Sequence, residues 1–460
     1  MTYRIEKITK IIILLIMTAA LALTGAVPSF AAADNNSKDG RMVSSAEIDW
    51  EDAPDVEGTS VIMIDGGSGE ILYEKNAEER RDPASITKIL TCLVVLENMD
   101  LDDEITVAED YDGAGENIAV KADERFTVEQ LLYAMMVGSA NDAAEVLALA
   151  AGGDMETFCD MMNERAKECG AKNTSFTNPN GMHYAGQENH RTTAYDIAMI
   201  AREAMKNDTF RKIVSTAEYR IPTTNKSEAR NIESTNPCLG LYEGTTGIKT
   251  GTTSVAGYCF CGSAKKDDTE LIVVNLNSGR EQRFSETIKL WDYGFSKYYT
   301  YKAAEGGKVL AEERVSRGDK RAVNVGVEED FDITLNKGYD RKNISLKTDI
   351  DEDLKAPIKK GTEVGTITAV NRDGEAVAAS PLIALENVDE GGILSYIGIA
   401  DEDRLFFFAG LAAAVILFMI IVRIIKRMNY RKNKRRRAQR QRNVRRREWE
   451  KERNPFDRNV

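Results

Sequence analysis

Ser85-Ile-Thr-Lys88 sets a hydroxyl and an amine three residues apart, just after Pro83 and at the head of the apolar run 89–96. On a helix such residues are neighbours. A lysine kept neutral by burial and by nearby positive charge can take the serine proton and leave a nucleophilic oxygen. Further along, Ser139-Ala-Asn141 interrupts a helical stretch at Gly138, so a hydroxyl and an amide project from a loop. The hydroxyl can relay a proton to a leaving amine, and the amide can hold a peptide backbone. Lys249-Thr250-Gly251 lies on a predicted strand and runs into Thr252 and Thr253. With no side chain at Gly251, an extended peptide can pair with that strand, leaving Lys249 and Thr250 to meet its C-terminal carboxylate. Together the three patterns read as acyl transfer through a serine.

Each pattern alone is weak. Average composition gives a chain of this length about two Ser-x-x-Lys and about one Ser-x-Asn by chance, but only ~0.1 of a Lys-Thr-Gly. Decoys are present at Ser263-Ala-Lys-Lys266 and Ser234-Thr-Asn236. Context separates them: Ser85 and Lys88 open an apolar helix, whereas Ser263 runs into the polar turn 265–268.

The elements that must position these groups follow from periodicity. Residues 60–65 and 70–75 alternate around Gly66-Gly67-Ser68-Gly69 and predict a hairpin. Helical spacing marks 85–98, 127–137, 141–151, 155–169 and 195–205, and beyond Gly247 the texture turns to strands at 248–251, 256–264 and 270–277, with a last helix at 281–297. Hairpin, helices, meander and helix predict an α+β domain over 58–300, an antiparallel sheet flanked by helices with an all-helical subregion. Turn signals without helical period predict a small all-β domain over 301–395.

Both ends carry membrane signals. Arg4, Lys7 and Lys10 precede the apolar run 11–23 and the small residues Ala31-Ala32-Ala33, the layout of a signal peptide over 1–33, followed by a polar linker, 34–57. The uncharged run 405–422 is about 27 Å long as a helix and predicts one transmembrane helix, 404–423. The basic tail 424–460 then lies in the cytoplasm by the positive-inside rule, with the catalytic domain outside. Of the overall charge of −13, the tail from Arg423 onward contributes +13 (17 basic against 4 acidic residues) and the first 33 residues +2, which leaves −28 between them. So acidic a body repels nucleic acid, and no specific nucleic-acid partner is expected. The tail reads first as a stop-transfer flank, with anionic lipid as its candidate partner. Six cysteines show no Cys-x-x-Cys and histidine occurs only at His183 and His190, so neither a metal site nor a cofactor is expected.

The segments Arg81-Asp-Pro-Ala-Ser-Ile-Thr-Lys88, Gly138-Ser-Ala-Asn-Asp-Ala-Ala144 and Gly247-Ile-Lys-Thr-Gly-Thr-Thr253 resemble the three motifs of low-molecular-mass penicillin-binding proteins of the D-Ala-D-Ala carboxypeptidase type. Asn178-Pro-Asn-Gly-Met182 and Thr192-Thr-Ala-Tyr-Asp-Ile-Ala198 are also similar to family segments, and Ala356-Pro-Ile-Lys-Lys-Gly361 and Pro381-Leu-Ile-Ala384 to the family's C-terminal β-domain. The resemblance implies a penicillin-binding, β-lactamase-like fold and D-alanine release from peptidoglycan stem peptides, with β-lactams as inhibitors. It implies Ser85 as nucleophile, Lys88 as general base and Ser139 in proton relay. Asn141, Lys249, Thr250, Gly251 and Thr252 would bind substrate, with the N–H groups of Ser85 and Thr252 as oxyanion hole. Arg283, or less closely Arg280, would hold the substrate carboxylate. The family commonly ends in an amphipathic helix on the membrane; a spanning segment with a long basic tail departs from that. A class A β-lactamase would need a deacylating glutamate in a Glu-x-x-Leu-Asn stretch, and none lies between Ser139 and Lys249. A crosslink-cleaving endopeptidase, a transpeptidase and a penicillin- or peptidoglycan-sensing scaffold are the other readings.

Overall fold

The structure, a computed structural model, describes residues 52–111 and 113–453. The expected signal peptide and most of the expected linker lie outside the described residues, as does the tail beyond 453. Residues 52–57, the described end of that linker, are tied down: Val56 is buried, Lys75 Nζ donates to its carbonyl at 2.5 Å, and Glu57 N donates to Glu286 Oε1 at 2.6 Å.

The chain opens with the hairpin β1 (Ser60–Asp65) and β2 (Ile71–Lys75). A 3-10 turn, Ala84–Thr87, leads into α1 (Lys88–Asn98). A small hairpin, β3 (Glu104–Thr106) with β4 (Arg125–Thr127), leads into α2 (Val128–Met136), which Thr127 and Gln130 start with a reciprocal capping box. Four more helices complete the helical subregion: α3 (Asn141–Gly152), α4 (Met155–Glu168), α5 (Ala194–Ala204) and α6 (Asp208–Val214). A second hairpin, β5 (Glu218–Ile221) with β6 (Arg230–Glu233), and the short helix α7 (Cys238–Leu241) precede the meander. That meander is β7 (Thr245–Thr253), β8 (Gly257–Lys266) and β9 (Thr269–Ser278), closed by α8 (Gln282–Lys297).

The main sheet is antiparallel in the order β2-β1-β9-β8-β7, so strands from both ends of the domain meet at β1 and β9. Both its faces are covered, and the period of two sorts the side chains between them. Val61, Met63, Leu271, Val273 and Phe260 pack with Phe284, Leu290, Trp291 and Phe295 of α8. Ile62, Ile64, Ile272, Val274, Cys259 and Cys261 face the other way, into the cluster built on α1, α2, α3 and α5. α1 is the central helix: its residues 88–95 are all buried. The six cysteines are free thiols.

The α+β reading and the β-rich domain after it hold. β10 (Tyr298–Ala304) follows α8 directly, and β11 (Ala311–Arg314), β12 (Ala322–Gly326), β13 (Phe331–Asn336), β14 (Ser345–Ile350), β15 (Glu363–Val370) and β16 (Ala376–Ala384) complete the module. β10 pairs with β13, and a five-stranded sheet runs β11-β12-β16-β15-β14 over a core of Val323, Val325, Ile333, Ile367 and Leu382. The two modules share a buried polar junction. Asp65 accepts from Thr300 Oγ1 at 2.6 Å, Thr334 Oγ1 at 2.8 Å and Gly67 N at 2.8 Å, and burial pushes its pKa up. The chain ends in α9 (Arg404–Arg453), the one helix among the described residues long and apolar enough to cross a membrane. It carries the apolar run and the described part of the basic tail without interruption.

Candidate active site

Three structural edges converge on Ser85. The first is its own turn. Between Pro83 and Val95 only Ser85 escapes burial, so its hydroxyl alone reaches the cleft. Ser85 sits in the 3-10 turn rather than in the α-helix expected from 85 onward, and the helix proper begins at Lys88. Lys88 is wholly buried, with Nζ 3.0 Å from Ser85 Oγ, 2.7 Å from Asn141 Oδ1 and 2.9 Å from the carbonyl of Asn180. Burial, reinforced by the charge of Lys249, holds the amine well below the usual lysine range, against the opposing pull of Asp142 and Glu145.

The turn is clamped from behind. Ala84 has φ +49°, and Gly181, at φ +83°, passes so close that an added Cβ would lie 1.8 Å from the Ala84 carbonyl oxygen. Thr87 Oγ1 donates to that same oxygen at 2.9 Å and lies 2.9 Å from His190 Nε2. His190 Nδ1 accepts from Thr177 N at 3.0 Å, which puts the ring hydrogen on Nε2, facing Thr87. Burial lowers the His190 pKa to about 4, so the ring is neutral at ordinary pH. His190 therefore braces the turn from behind.

The second edge is the break between α2 and α3. Ser139 has φ +63° and Asn141 is the first residue of α3. The amide of Asn141 is fixed at both ends, its oxygen on Lys88 and its nitrogen donating to the Ala114 carbonyl at 2.9 Å. Asp142 holds the neighbouring loop by accepting from Ile118 N and Val120 N, each at 3.2 Å. One helical turn on, Glu145 accepts from Asn180 Nδ2 at 2.8 Å and Tyr184 Oη at 3.1 Å, so the residue that supplies a carbonyl to Lys88 is itself fixed.

The third edge is β7, an edge strand of the main sheet. Gly251 lies against the Ser85 turn: a Cβ there would sit 3.1 Å from each of Ser85 N, Pro83 O and Ala84 Cβ. Lys249 is buried, and desolvation with the nearby Arg283 charge lowers its pKa to about 7. Thr250 Oγ1 lies 2.6 Å from Thr235 Oγ1, so the chance-like Ser234-Thr-Asn236 supports the third motif although it carries no catalytic pattern of its own. Thr252 is exposed at the strand end.

Arg283 stands behind β7. Its Nη1 donates to the carbonyls of Gly251 at 3.0 Å and Cys259 at 3.1 Å and to Thr252 Oγ1 at 3.1 Å. It orients the strand end that the motif residues occupy. Arg280 is well exposed beside Glu281. Sequence reasoning assigned no role to Asn180, Glu145, His190 or Thr235. Asn180 and His190 fall in or beside segments singled out by resemblance, but no local spacing marks a backbone carbonyl as a ligand of Lys88.

Known proteins resemble the chain over most of its length. Residues 48–279 match the family described as D-alanyl-D-alanine carboxypeptidase, and residues 298–390 match the C-terminal domain of penicillin-binding protein 5. The chain is 33% identical over 349 residues to D-alanyl-D-alanine carboxypeptidase DacF of Bacillus subtilis, covering 74% of this chain and 88% of that relative. It is 34% identical over 358 residues to DacC of Escherichia coli, with 74% and 86% covered. Among solved structures, penicillin-binding protein 5 from Haemophilus influenzae superposes with a TM-score of 0.61 at 29% identity, over 73% of this chain and 99% of that one. The chain thus belongs to the D-alanyl-D-alanine carboxypeptidase family, with the C-terminal β-domain of penicillin-binding protein 5 following its catalytic domain.

Proposed function

We propose that this chain is a serine-type D-alanyl-D-alanine carboxypeptidase that releases the terminal D-alanine of peptidoglycan stem peptides through an acyl-enzyme on Ser85. The observation that carries the reading is the set of contacts around Lys88. A neutral amine has two hydrogens and one lone pair. Asn141 Oδ1 and the Asn180 carbonyl, at 2.7 and 2.9 Å, accept the hydrogens. The lone pair is left for the hydroxyl hydrogen of Ser85, 3.0 Å away. Ser85 Oγ attacks the carbonyl between the two D-alanines as its proton moves to Lys88. The C–N bond breaks when the departing amine receives a proton, with Ser139 relaying it and Lys249 supporting the relay. The N–H groups of Ser85 and Thr252 stabilise the oxyanion. Asn141 holds the peptide, which lies along the open edge of β7 over Gly251, and its carboxylate meets Lys249 and Thr250. Arg283, bonded to Gly251 and Thr252, helps hold that carboxylate. Water then hydrolyses the ester and returns the serine. β-Lactams acylate the same oxygen.

The same reading includes a signal peptide over 1–33, a linker over 34–57, the catalytic domain over 58–300 and the β-domain over 301–395. The transmembrane helix at 404–423 anchors the enzyme with its catalytic domain outside, and the basic tail lies in the cytoplasm beside anionic lipid. The test is D-alanine release from a peptide ending in D-Ala-D-Ala by the full chain in detergent, with Ser85→Ala alongside. Release that vanishes in the variant supports the reading. Folded wild-type protein that releases nothing, yet opens crosslinked dimers, would replace it with an endopeptidase.

A further inference from the structure

We infer that the β-domain rests directly on the bilayer through the 3-10 turn Ile393–Ile397, whose apolar side chains enter the boundary between headgroups and acyl chains while Arg314, Arg317 and Arg321 meet lipid phosphates. Ile393, Tyr396 and Ile397 are 89, 56 and 70% exposed, and no large apolar side chain among the described residues is more exposed than Ile393. Ile393 and Tyr396, three apart, share one face of the turn and Ile397 follows directly, while Ser395 between them is buried and its Oγ donates to the Gly392 carbonyl at 2.7 Å. A tyrosine with two isoleucines is the chemistry of a membrane interface, one polar tip on an apolar body.

The occupant is set by what the turn is joined to. Only residues 398–403 separate it from α9, and they are folded down. Gly392 N donates to Asp401 Oδ1 at 3.0 Å, and Asp401 pairs with Arg404, the first residue of α9, at 2.5 Å. Arg404 packs so closely on Gly392 that a Cβ there would lie 1.9 Å from Nη2. Glu402 N donates to the Asp319 carbonyl at 3.2 Å, and Arg321 N donates to Glu402 Oε1 at 2.8 Å. The exposed trio and the apolar start of α9, Leu405 and Phe406, therefore belong to one fixed surface.

Charge points to the same partner. Arg314, Arg317 and Arg321 line a depression with Ser316, Ser395 and Ala400, of about 240 Å³, together with Glu352 and Asp353. None of the three arginines forms an ion pair among the described residues, and Arg317 stacks 5.2 Å from the Tyr396 ring centroid. Guanidinium groups beside an exposed aromatic suit phosphate oxygens at an apolar boundary.

This inference rests on the anchoring role given above to α9, and one experiment separates the two. Nitroxide labels are placed at Ile397→Cys, Leu411→Cys and Leu241→Cys in the full chain, held in nanodiscs of phosphatidylcholine and phosphatidylglycerol. Unsubstituted protein measures the background from native thiols. Collision with oxygen against a water-soluble nickel chelate reads depth. Position 411 should favour oxygen strongly, 397 should be intermediate, and 241, on the catalytic domain, should favour nickel. Arg317→Glu with Arg321→Glu should shift label 397 toward the aqueous value. Label 411 deep with 397 as open to nickel as 241 overturns the contact and leaves the anchor standing; label 411 in water overturns both. A depth at 397 unmoved by the two charge reversals overturns the phosphate contact.

Discussion

Gly251→Ala adds one methyl group where the edge of β7, proposed above to bind substrate, touches the turn that carries Ser85. The new Cβ would meet Ser85 N, Pro83 O and Ala84 Cβ, each at 3.1 Å. Ordinary carbon contacts are about 3.5 Å or more, so the turn or the strand must yield by a few tenths of an ångström. Neither side is free. Gly181, Thr87 and His190 back the turn, and Arg283 holds the Gly251 carbonyl and Thr252. Overpacking of this kind costs about 1–3 kcal/mol of stability, a fall of roughly 2–10 °C in Tm for a domain of this size. Activity should suffer more. Loss of one oxyanion donor costs about 100- to 1000-fold, and a displacement of tenths of an ångström takes part of that, giving an expected fall in kcat of roughly 10- to 100-fold. The assay is D-alanine release under saturating peptide, beside thermal unfolding of the same preparation. A kcat within twofold of wild type would refute the claim that Gly251 and the Ser85 amide are packed for catalysis. A folded protein still acylated by labelled penicillin at the wild-type rate would refute it equally.

Three further outcomes follow from the same geometry. His190 has a folded pKa of about 4 against 6.5 for the free side chain, so the unfolded chain binds the extra proton first as pH falls. Its contribution is complete above about pH 6.5 and is lost toward pH 4, about 3 kcal/mol in all; His190→Gln should flatten that part of the stability–pH curve in denaturant titrations. Lys249 titrates at about 7, so kcat/KM for a peptide with a free carboxylate should decline as pH rises through that value, and Lys249→Arg, at whatever lower rate, should lack that limb. Arg230 pairs with the wholly buried Glu124 at 3.0 Å. Arg230→Ala should destabilise by about 3–5 kcal/mol in chemical unfolding, because it strands a buried carboxylate.

What the sequence made legible was what is local. Ser85 and Lys88 are three residues apart, and their contact follows from that spacing alone; Thr127 and Gln130 signal the start of α2 in the same way. The strands themselves were readable as apolar runs, but 61–64 and 271–274 are apolar at every position, so nothing in them showed which side chains face which core. What was not readable depends on chain segments brought together from a distance. The carbonyl of Asn180 has no sequence signature, because every residue has a carbonyl. Arg283 resembles a substrate ligand by position, and the contacts of its Nη1 with backbone on two strands follow only from the packing of α8 on β7 and β8. The hairpin β5–β6 and the helix α6 were passed over because runs of four and seven residues hold too little period to stand above background. The 3-10 start at Ser85 was read as α-helix because both conformations put residues three apart on nearly the same face.

The pairing of β1 with β9 also governs when activity can appear. Ser60 sits opposite Leu276, and Asp65 opposite Leu271, so the two central strands come from opposite ends of the catalytic domain. Closing that loop has an entropy cost that is met only when the distant strand arrives. The nucleophile's turn is in place only when Gly251 packs against it, and β7 is held through β8 to the same late strand. A nascent chain that has emerged only as far as α6 contains Ser85, Lys88, Ser139 and Asn141 yet has no edge on which a peptide can lie. On the mechanism proposed above, the site therefore stays latent until residue 278 is free to fold, which ties the first turnover to the completion of the domain.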